Sequence, residues 1–171
     1  MKKKNGKVIW ITGLPGSGKT AIAKKITKQI ILLYGPTIEI SGDELRKIFK
    51  FNNYNIKSRV KYAQIYSRFC KNLSNKGINI IFSTVSLFHI VQKWNKNNIK
   101  EYFEIYIKTD VKKIIKFKKK KIYEKKSNLM GIHLIPQFPK LPDILIENDF
   151  SKSVNYLSKS LIKKIKDMKI I

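Results

Sequence analysis

Eight residues, Gly13-Leu14-Pro15-Gly16-Ser17-Gly18-Lys19-Thr20, limit what this chain can become more than any other stretch. The run before them, Lys7-Val8-Ile9-Trp10-Ile11-Thr12, is apolar throughout its centre, as a strand buried on both faces must be. After them, from Ala21 to Leu33, the apolar residues Ile22, Ile26, Ile30 and Leu33 recur at helical spacing. Strand, glycine loop and helix with the spacing Gly-x-x-x-x-Gly-Lys-Thr make the phosphate-loop (Walker A) pattern. Its glycines let the backbone wrap so that successive N–H groups point at an anion, and the helix start adds its positive dipole end. On this reading all eight residues hold ATP. Lys19 reaches the β- and γ-phosphates and takes part in catalysis, and the Thr20 hydroxyl ligates Mg²⁺.

Beyond the loop, apolar runs alternate with helical stretches, the pattern of an α/β sheet with crossover helices. Thr37-Ile38-Glu39-Ile40-Ser41 and Ile78-Asn79-Ile80-Ile81-Phe82-Ser83 read as the second and third strands. Glu104-Ile105-Tyr106-Ile107 lies inside the fourth, and Asp143-Ile144-Leu145-Ile146-Glu147 is the fifth. Helices are predicted from Gly42, over residues 57–76, around residues 90–97, from Val111 into a lysine cluster, and at the end of the chain. Residues 127–142 hold Pro136, Pro139 and Pro142 with little periodicity, and read as a mobile loop or lid. The expected architecture is one domain over residues 1–171, doubly wound like the P-loop nucleoside triphosphatases. It has a mainly parallel five-stranded sheet, helices on both faces and a lid over about residues 118–142.

The formal net charge of +26 comes from 37 basic and 11 acidic residues among 171. The lysines are scattered along every segment and no nucleic-acid module is present, so specific nucleic-acid binding is not expected. A field of this sign draws in small anionic nucleotides as well as polynucleotides. Only Arg46, Arg59 and Arg68 are arginines, which makes the planar, bidentate geometry of the first two, near the candidate chemistry, informative. Cys70 is the lone cysteine, no apolar run reaches membrane-spanning length, and the basic start leads into too short an apolar stretch for a signal peptide. These features lead to the expectation of a cytoplasmic protein without membrane attachment. A homodimer is left open.

A phosphate loop alone does not separate kinases from GTPases or mechanical ATPases. The base-reading Asn-Lys-x-Asp sequence of small GTPases is missing, and the third strand runs into Ser83-Thr84-Val85-Ser86 without a carboxylate. The acid that follows a strand is Asp43, after the second, which suits a small-molecule kinase. Asp43 could accept the proton of an acceptor hydroxyl, and Arg46 could clamp the acceptor's anionic group. The competing reading makes Asp43 a helix N-cap and Arg46 a surface charge.

Ile9-Trp10-Ile11-Thr12-Gly13-Leu14, followed by Ser41-Gly42-Asp43-Glu44-Leu45-Arg46, resembles the adenylylsulfate (APS) kinases. Those enzymes transfer the γ-phosphoryl group of ATP to a ribose 3′-hydroxyl, and the likeness runs on through Gly131-Ile132 and Pro142-Asp143 to Asn148. The resemblance implies that Asp43 is the base and that Arg46, Tyr54, Arg59, Ser86, Gly131 and Ile132 bind the acceptor. It places Lys120 and Lys121 in a lid motif that contacts ATP. Ser41 replaces the first acid of the family's Asp-Gly-Asp-x-x-Arg, Tyr62 an asparagine, and Leu129 a base-stacking aromatic; the Ile-Ser-Pro-x-Arg loop reads Val85-Ser86-Leu87-Phe88-His89. These departures fall on the acceptor side. Ser83-Thr84-Val85-Ser86-Leu87-Phe88-His89 followed by Trp94-Asn95 resembles a branch associated with capsule modification that includes cytidine diphosphoramidate kinases. On that likeness His89 replaces the arginine as a binding group, and cytidine diphosphoramidate is the favoured acceptor, with adenylylsulfate the alternative. A nucleotide-dependent nucleic-acid-binding protein is the alternative of another class.

Overall fold

The structure, a computed structural model, describes residues 4–119 and 128–168. Five parallel strands form one sheet: β1 (Val8–Gly13), β2 (Thr37–Ser41), β3 (Asn79–Thr84), β4 (Tyr102–Lys108) and β5 (Ile144–Glu147). Their order is β2-β3-β1-β4-β5, so the phosphate-loop strand lies at the centre and the winding reverses beside it. The helices are α1 (Lys19–Tyr34), α2 (Gly42–Ile48), α3 (Ile56–Asn75), α4 (His89–Asn98), α5 (Val111–Ile114) and α6 (Val154–Asp167). The doubly wound expectation holds. The predicted helix from Val111 is shorter than expected, giving way to a π-helical turn at Ile115–Lys119.

Alternation along the strands sends successive side chains to opposite faces. Ile9 and Ile11 of β1, with Ile81 and Ile105, pack against Ile22, Ile26 and Ile30 of α1 and Leu157, Leu161 and Ile165 of α6. Val8 and Trp10, with Ile80 and Phe82, face Ala63, Tyr66 and Cys70 of α3 and Val91 of α4. Two such cores, one on each face, fix the level of every strand end. Leu33, which the spacing puts on the same face, is 37% exposed, whereas Ile22, Ile26 and Ile30 are fully buried.

The sequence reading of a mobile lid covers residues 118–142, of which 120–127 lie outside the described residues. Residues 128–142 hold only an isolated bridge between Met130 and Leu134. They are tied down nonetheless. Gln92 Nε2 donates to Gln137 O at 2.9 Å, Gln137 N donates to Leu87 O at 3.0 Å, and Lys96 Nζ bonds Leu141 O at 2.5 Å. No described helix is long and apolar enough to cross a membrane.

Candidate active site

Parallel pairing brings the carboxyl ends of β1, β2 and β3 to one rim: Thr12 pairs with Thr84 and Ser41 with Ser83. The loops after these strands therefore meet, as ligand-binding loops do in sheets of this kind. Gly18 holds the N-cap of α1 at φ 93°, left-handed backbone that favours glycine. A Cβ there would stand 3.1 Å from Asn148 Nδ2, which donates to Ser17 O at 2.9 Å and so pins the phosphate loop to the end of β5. Lys19 is buried, its Nζ donating to Leu14 O at 2.6 Å and lying 3.4 Å from Ser17 Oγ. Thr20 is exposed, with its hydroxyl 3.3 Å from Ser83 Oγ.

Across the rim, Ser41 caps α2. Its hydroxyl accepts from Glu44 N at 3.2 Å, and Glu44 Oε2 accepts from Ser41 N at 2.7 Å, a reciprocal capping box. The Ser41 hydroxyl also donates to Glu44 Oε2 at 2.6 Å, and this bond first, then the Ser41 N–H, holds the Glu44 carboxyl below its ordinary range. The cap is thus Ser41 and not Asp43. Asp43 stands one residue inside the first turn, exposed and lining the cavity.

Arg46 and Arg59 converge on Tyr54: their guanidinium carbons lie 4.5 Å and 5.4 Å from the Tyr54 ring centroid. Arg46 also lies 5.4 Å from the Tyr62 ring, which stacks on Phe51 at 4.0 Å with 6° between planes. Arg59 is anchored twice, its Nε donating to Tyr54 O at 2.8 Å and its Nη2 to Asn128 O at 3.0 Å. Burial, and after it the neighbouring Arg46 cation, lowers the Arg59 guanidinium from its ordinary value.

One cavity of about 310 Å³ gathers these groups. Gly16, Gly18, Lys19 and Thr20 line one side, Gly42, Asp43, Arg46, Tyr54 and Arg59 the other, with Thr84 and Leu129 between. A phosphate-binding loop therefore faces a carboxylate flanked by two arginines and an aromatic ring, the arrangement for moving a phosphoryl group to a hydroxyl.

Other sequence-predicted residues lie away from that wall. Ser86 is 2% exposed and its Oγ has no hydrogen-bond partner among the described residues. His89 opens α4 with Nε2 3.0 Å from Phe138 O, so it fastens the 137–141 segment and does not face the cavity. Gly131 sits at φ 93°, where a Cβ would meet Leu14 Cδ2 at 2.8 Å; its contact is with the phosphate loop's flank. Ile132 points to solvent at 46% exposure. His133 accepts from Leu129 N through Nδ1 at 3.1 Å, a local turn bond. Lys120 and Lys121 lie outside the described residues. Sequence reasoning gave no role to Leu129, Thr84 or Gly42 as cavity wall, and it treated Asn148 only as the end of a likeness; a polar residue directly after β5 was the one signal for it.

Comparison with known proteins adds to this geometry. The profile of a family described as adenylylsulphate kinase matches residues 5–147. A cytidine diphosphoramidate kinase of Campylobacter jejuni is 32% identical over 168 residues, covering 95% of this chain and 98% of the relative. A probable adenylyl-sulfate kinase of Aeropyrum pernix is 27% identical, covering 94% of each. Among solved structures, a Mycobacterium tuberculosis APS kinase in complex with AMPPNP and APS superposes with a TM-score of 0.81 at 22% identity, over 95% of this chain and 98% of that one.

Proposed function

The chain belongs to the adenylylsulphate kinase family, and on that premise we propose that it phosphorylates the ribose 3′-hydroxyl of a nucleotide conjugate, with cytidine diphosphoramidate the favoured acceptor. The observation that carries this reading is the single cavity shared by the phosphate loop and the Asp43, Arg46, Tyr54 and Arg59 group. The loop amides and Lys19 hold the triphosphate, Lys19 exchanging its bond to Leu14 O for phosphate oxygens. Asp43 takes the proton of the acceptor hydroxyl as that oxygen bonds the γ-phosphorus. The bond from γ-phosphorus to the β–γ bridging oxygen breaks, and ADP leaves with the electron pair. Tyr54 offers a face for the acceptor's base, and Arg46 and Arg59 meet its phosphates.

The residues present fit Mg²⁺ held mainly by phosphate oxygens and water. Thr20 supplies a hydroxyl at the loop's end, and no cluster of three His, Cys, Asp or Glu exists among the described residues. When bound, the ion would neutralise charge between the β- and γ-phosphates, with Thr20 as its protein ligand.

Choosing the cytidine conjugate rests on the Campylobacter jejuni relative and on the acceptor-side departures. A phosphoramidate end carries an amino group where a sulfate carries only acceptor oxygens, so an arginine fork suits the sulfate better. His89, at the position of the replaced arginine, is directed to Phe138 O and not to the cavity. The test is ADP release coupled to acceptor, with cytidine diphosphoramidate, adenylylsulfate and simple nucleotides compared at equal concentration. Preferred turnover of cytidine diphosphoramidate is expected. Turnover confined to adenylylsulfate overturns the choice of acceptor, and stimulation only by polynucleotide overturns the small-molecule kinase.

A further inference from the structure

An unused hydroxyl lies behind the wall that carries Asp43. Tyr66, on α3, is 3% exposed, and its hydroxyl has no hydrogen-bond partner among the described residues. The ring sits against Phe82 of β3, with centroids 5.5 Å apart, and against Phe51 at 6.3 Å. Its hydroxyl-bearing end faces the first turn of α2: a Cβ built on Gly42 would lie 3.7 Å from Tyr66 Cε2. Gly42 itself lines the cavity, and the next residue is Asp43. One residue's backbone thus separates the phenol from the carboxylate's turn.

A buried hydroxyl without a partner costs about 1–3 kcal/mol, so a phenylalanine would serve the packing better. Burial pushes the Tyr66 phenol up to about 12, with Arg46 opposing the shift and Asp43 adding to it. The group is therefore a neutral donor through the physiological range. The charged and titratable groups around it are Asp43 and Arg46 of α2, Tyr62 of α3 and Tyr54 of the preceding loop, while Phe82 and Thr84 of β3 bring no charge.

We propose that Tyr66 is a positioning residue for phosphoryl transfer, its hydroxyl donating to the Asp43 carboxylate when the acceptor fills the cavity. Asp43 stands exposed in the first turn of α2, next to the Gly42 that Tyr66 touches, so under this proposal its carboxylate reaches the phenol by a change of side-chain rotamer. An acceptor entering the cavity removes water from that side, leaving the phenol as a fixed neutral partner. One carboxylate oxygen held by Tyr66 leaves the other aimed at the acceptor hydroxyl, which is the orientation transfer needs. The inference rests on the reading of Asp43 as the base.

The test is Tyr66→Phe, which removes one oxygen and leaves the ring. The expected result is a fall in kcat of about tenfold with the KM for ATP within about twofold of the parent. The acid limb of the kcat–pH profile moves to higher pH, because a lost donor destabilises the carboxylate form. The melting temperature holds or rises, since an unpaired buried hydroxyl is gone. Unchanged kcat and acid limb overturn the proposal, and so does a kcat loss that comes with a lowered melting temperature and an unmoved acid limb. If no acceptor in the panel turns over, the acceptor reading fails by itself. Calorimetric titration of cytidine diphosphoramidate into parent and Tyr66→Phe then gives the comparison: weaker binding by the variant is expected, and equal affinity overturns the proposal.

Discussion

At the scale of single residues, the proposed function gives holding and transferring to different side chains. Lys19 is buried within its own loop, whereas Asp43 stands exposed across the cavity. Removing the first should damage nucleotide binding and turnover together; removing the second should damage turnover alone. Lys19→Ala is expected to abolish measurable transfer and to weaken ATP in a calorimetric titration. Asp43→Asn keeps the size and the helix position, and is expected to lower kcat by about 10²–10⁴-fold while ATP affinity stays within about twofold. Near-parental turnover in the asparagine variant would remove Asp43 from the chemistry. Asp43's place on the cavity wall was legible in the sequence because a carboxylate in the turn after a parallel strand lands on the rim that carries the phosphate loop. Ser86 and His89 were not, because side-chain direction after β3 depends on how that loop turns. It turns Ser86 inward and gives His89 to Phe138 O, a partner 49 positions along the chain.

At the scale of elements, α2 depends on its cap. It spans only Gly42–Ile48, too short to persist on propensity, and the Ser41–Glu44 box satisfies donors at its start. Ser41→Ala should cost about 1 kcal/mol, read as a lower midpoint in a urea or thermal melt. Since α2 carries both Asp43 and Arg46, acceptor turnover should fall more than ATP binding. The strands were readable because β1 and β3 are buried at every position and their centres, Val8 to Ile11 and Ile80 to Phe82, are continuous apolar runs. The start of β4 at Tyr102 was not, since Tyr102 and Phe103 are only partly covered and the first of them serves a polar group. The Tyr102 hydroxyl donates to Glu104 Oε1 at 3.3 Å, and Asn95 Nδ2 donates to that hydroxyl at the same distance.

At the scale of the whole molecule, Glu104 is a buried acid in a chain of high positive charge. It is 1% exposed, with Lys96 Nζ 3.7 Å away, and Lys96 also holds Leu141 O. Burial raises the Glu104 carboxyl above its ordinary range, Lys96 opposes this, and Asp143 adds to it. Its folded value therefore exceeds its unfolded one. The charged form is disfavoured in the fold at neutral pH, and that cost is relieved as pH falls through the raised value toward the ordinary one. Denaturant melts between pH 7 and pH 4 should show the parent gaining stability relative to Glu104→Gln as the pH drops; a gap that stays constant would show that the carboxyl titrates normally. The central strand has a different consequence, for assembly. Every neighbour of β1 is distant in sequence, Val8 pairing with Ile80 on one side and Tyr102 on the other, and no hairpin joins any two strands. Such non-local pairing is paid in loop entropy before any contact rewards it. A chain stopped at Asn98 contains all of Gly13 to Thr20, Asp43, Arg46 and Arg59, yet lacks Ile107, which pairs with Gly13, and Asn148, which holds Ser17 O. It should bind no ATP in calorimetry, whereas the full chain at a hundredfold excess over Kd should gain about 2.7 kcal/mol of stability. On this expectation nucleotide capture requires the chain through Asn148, and added ATP would raise the melting temperature of destabilised variants.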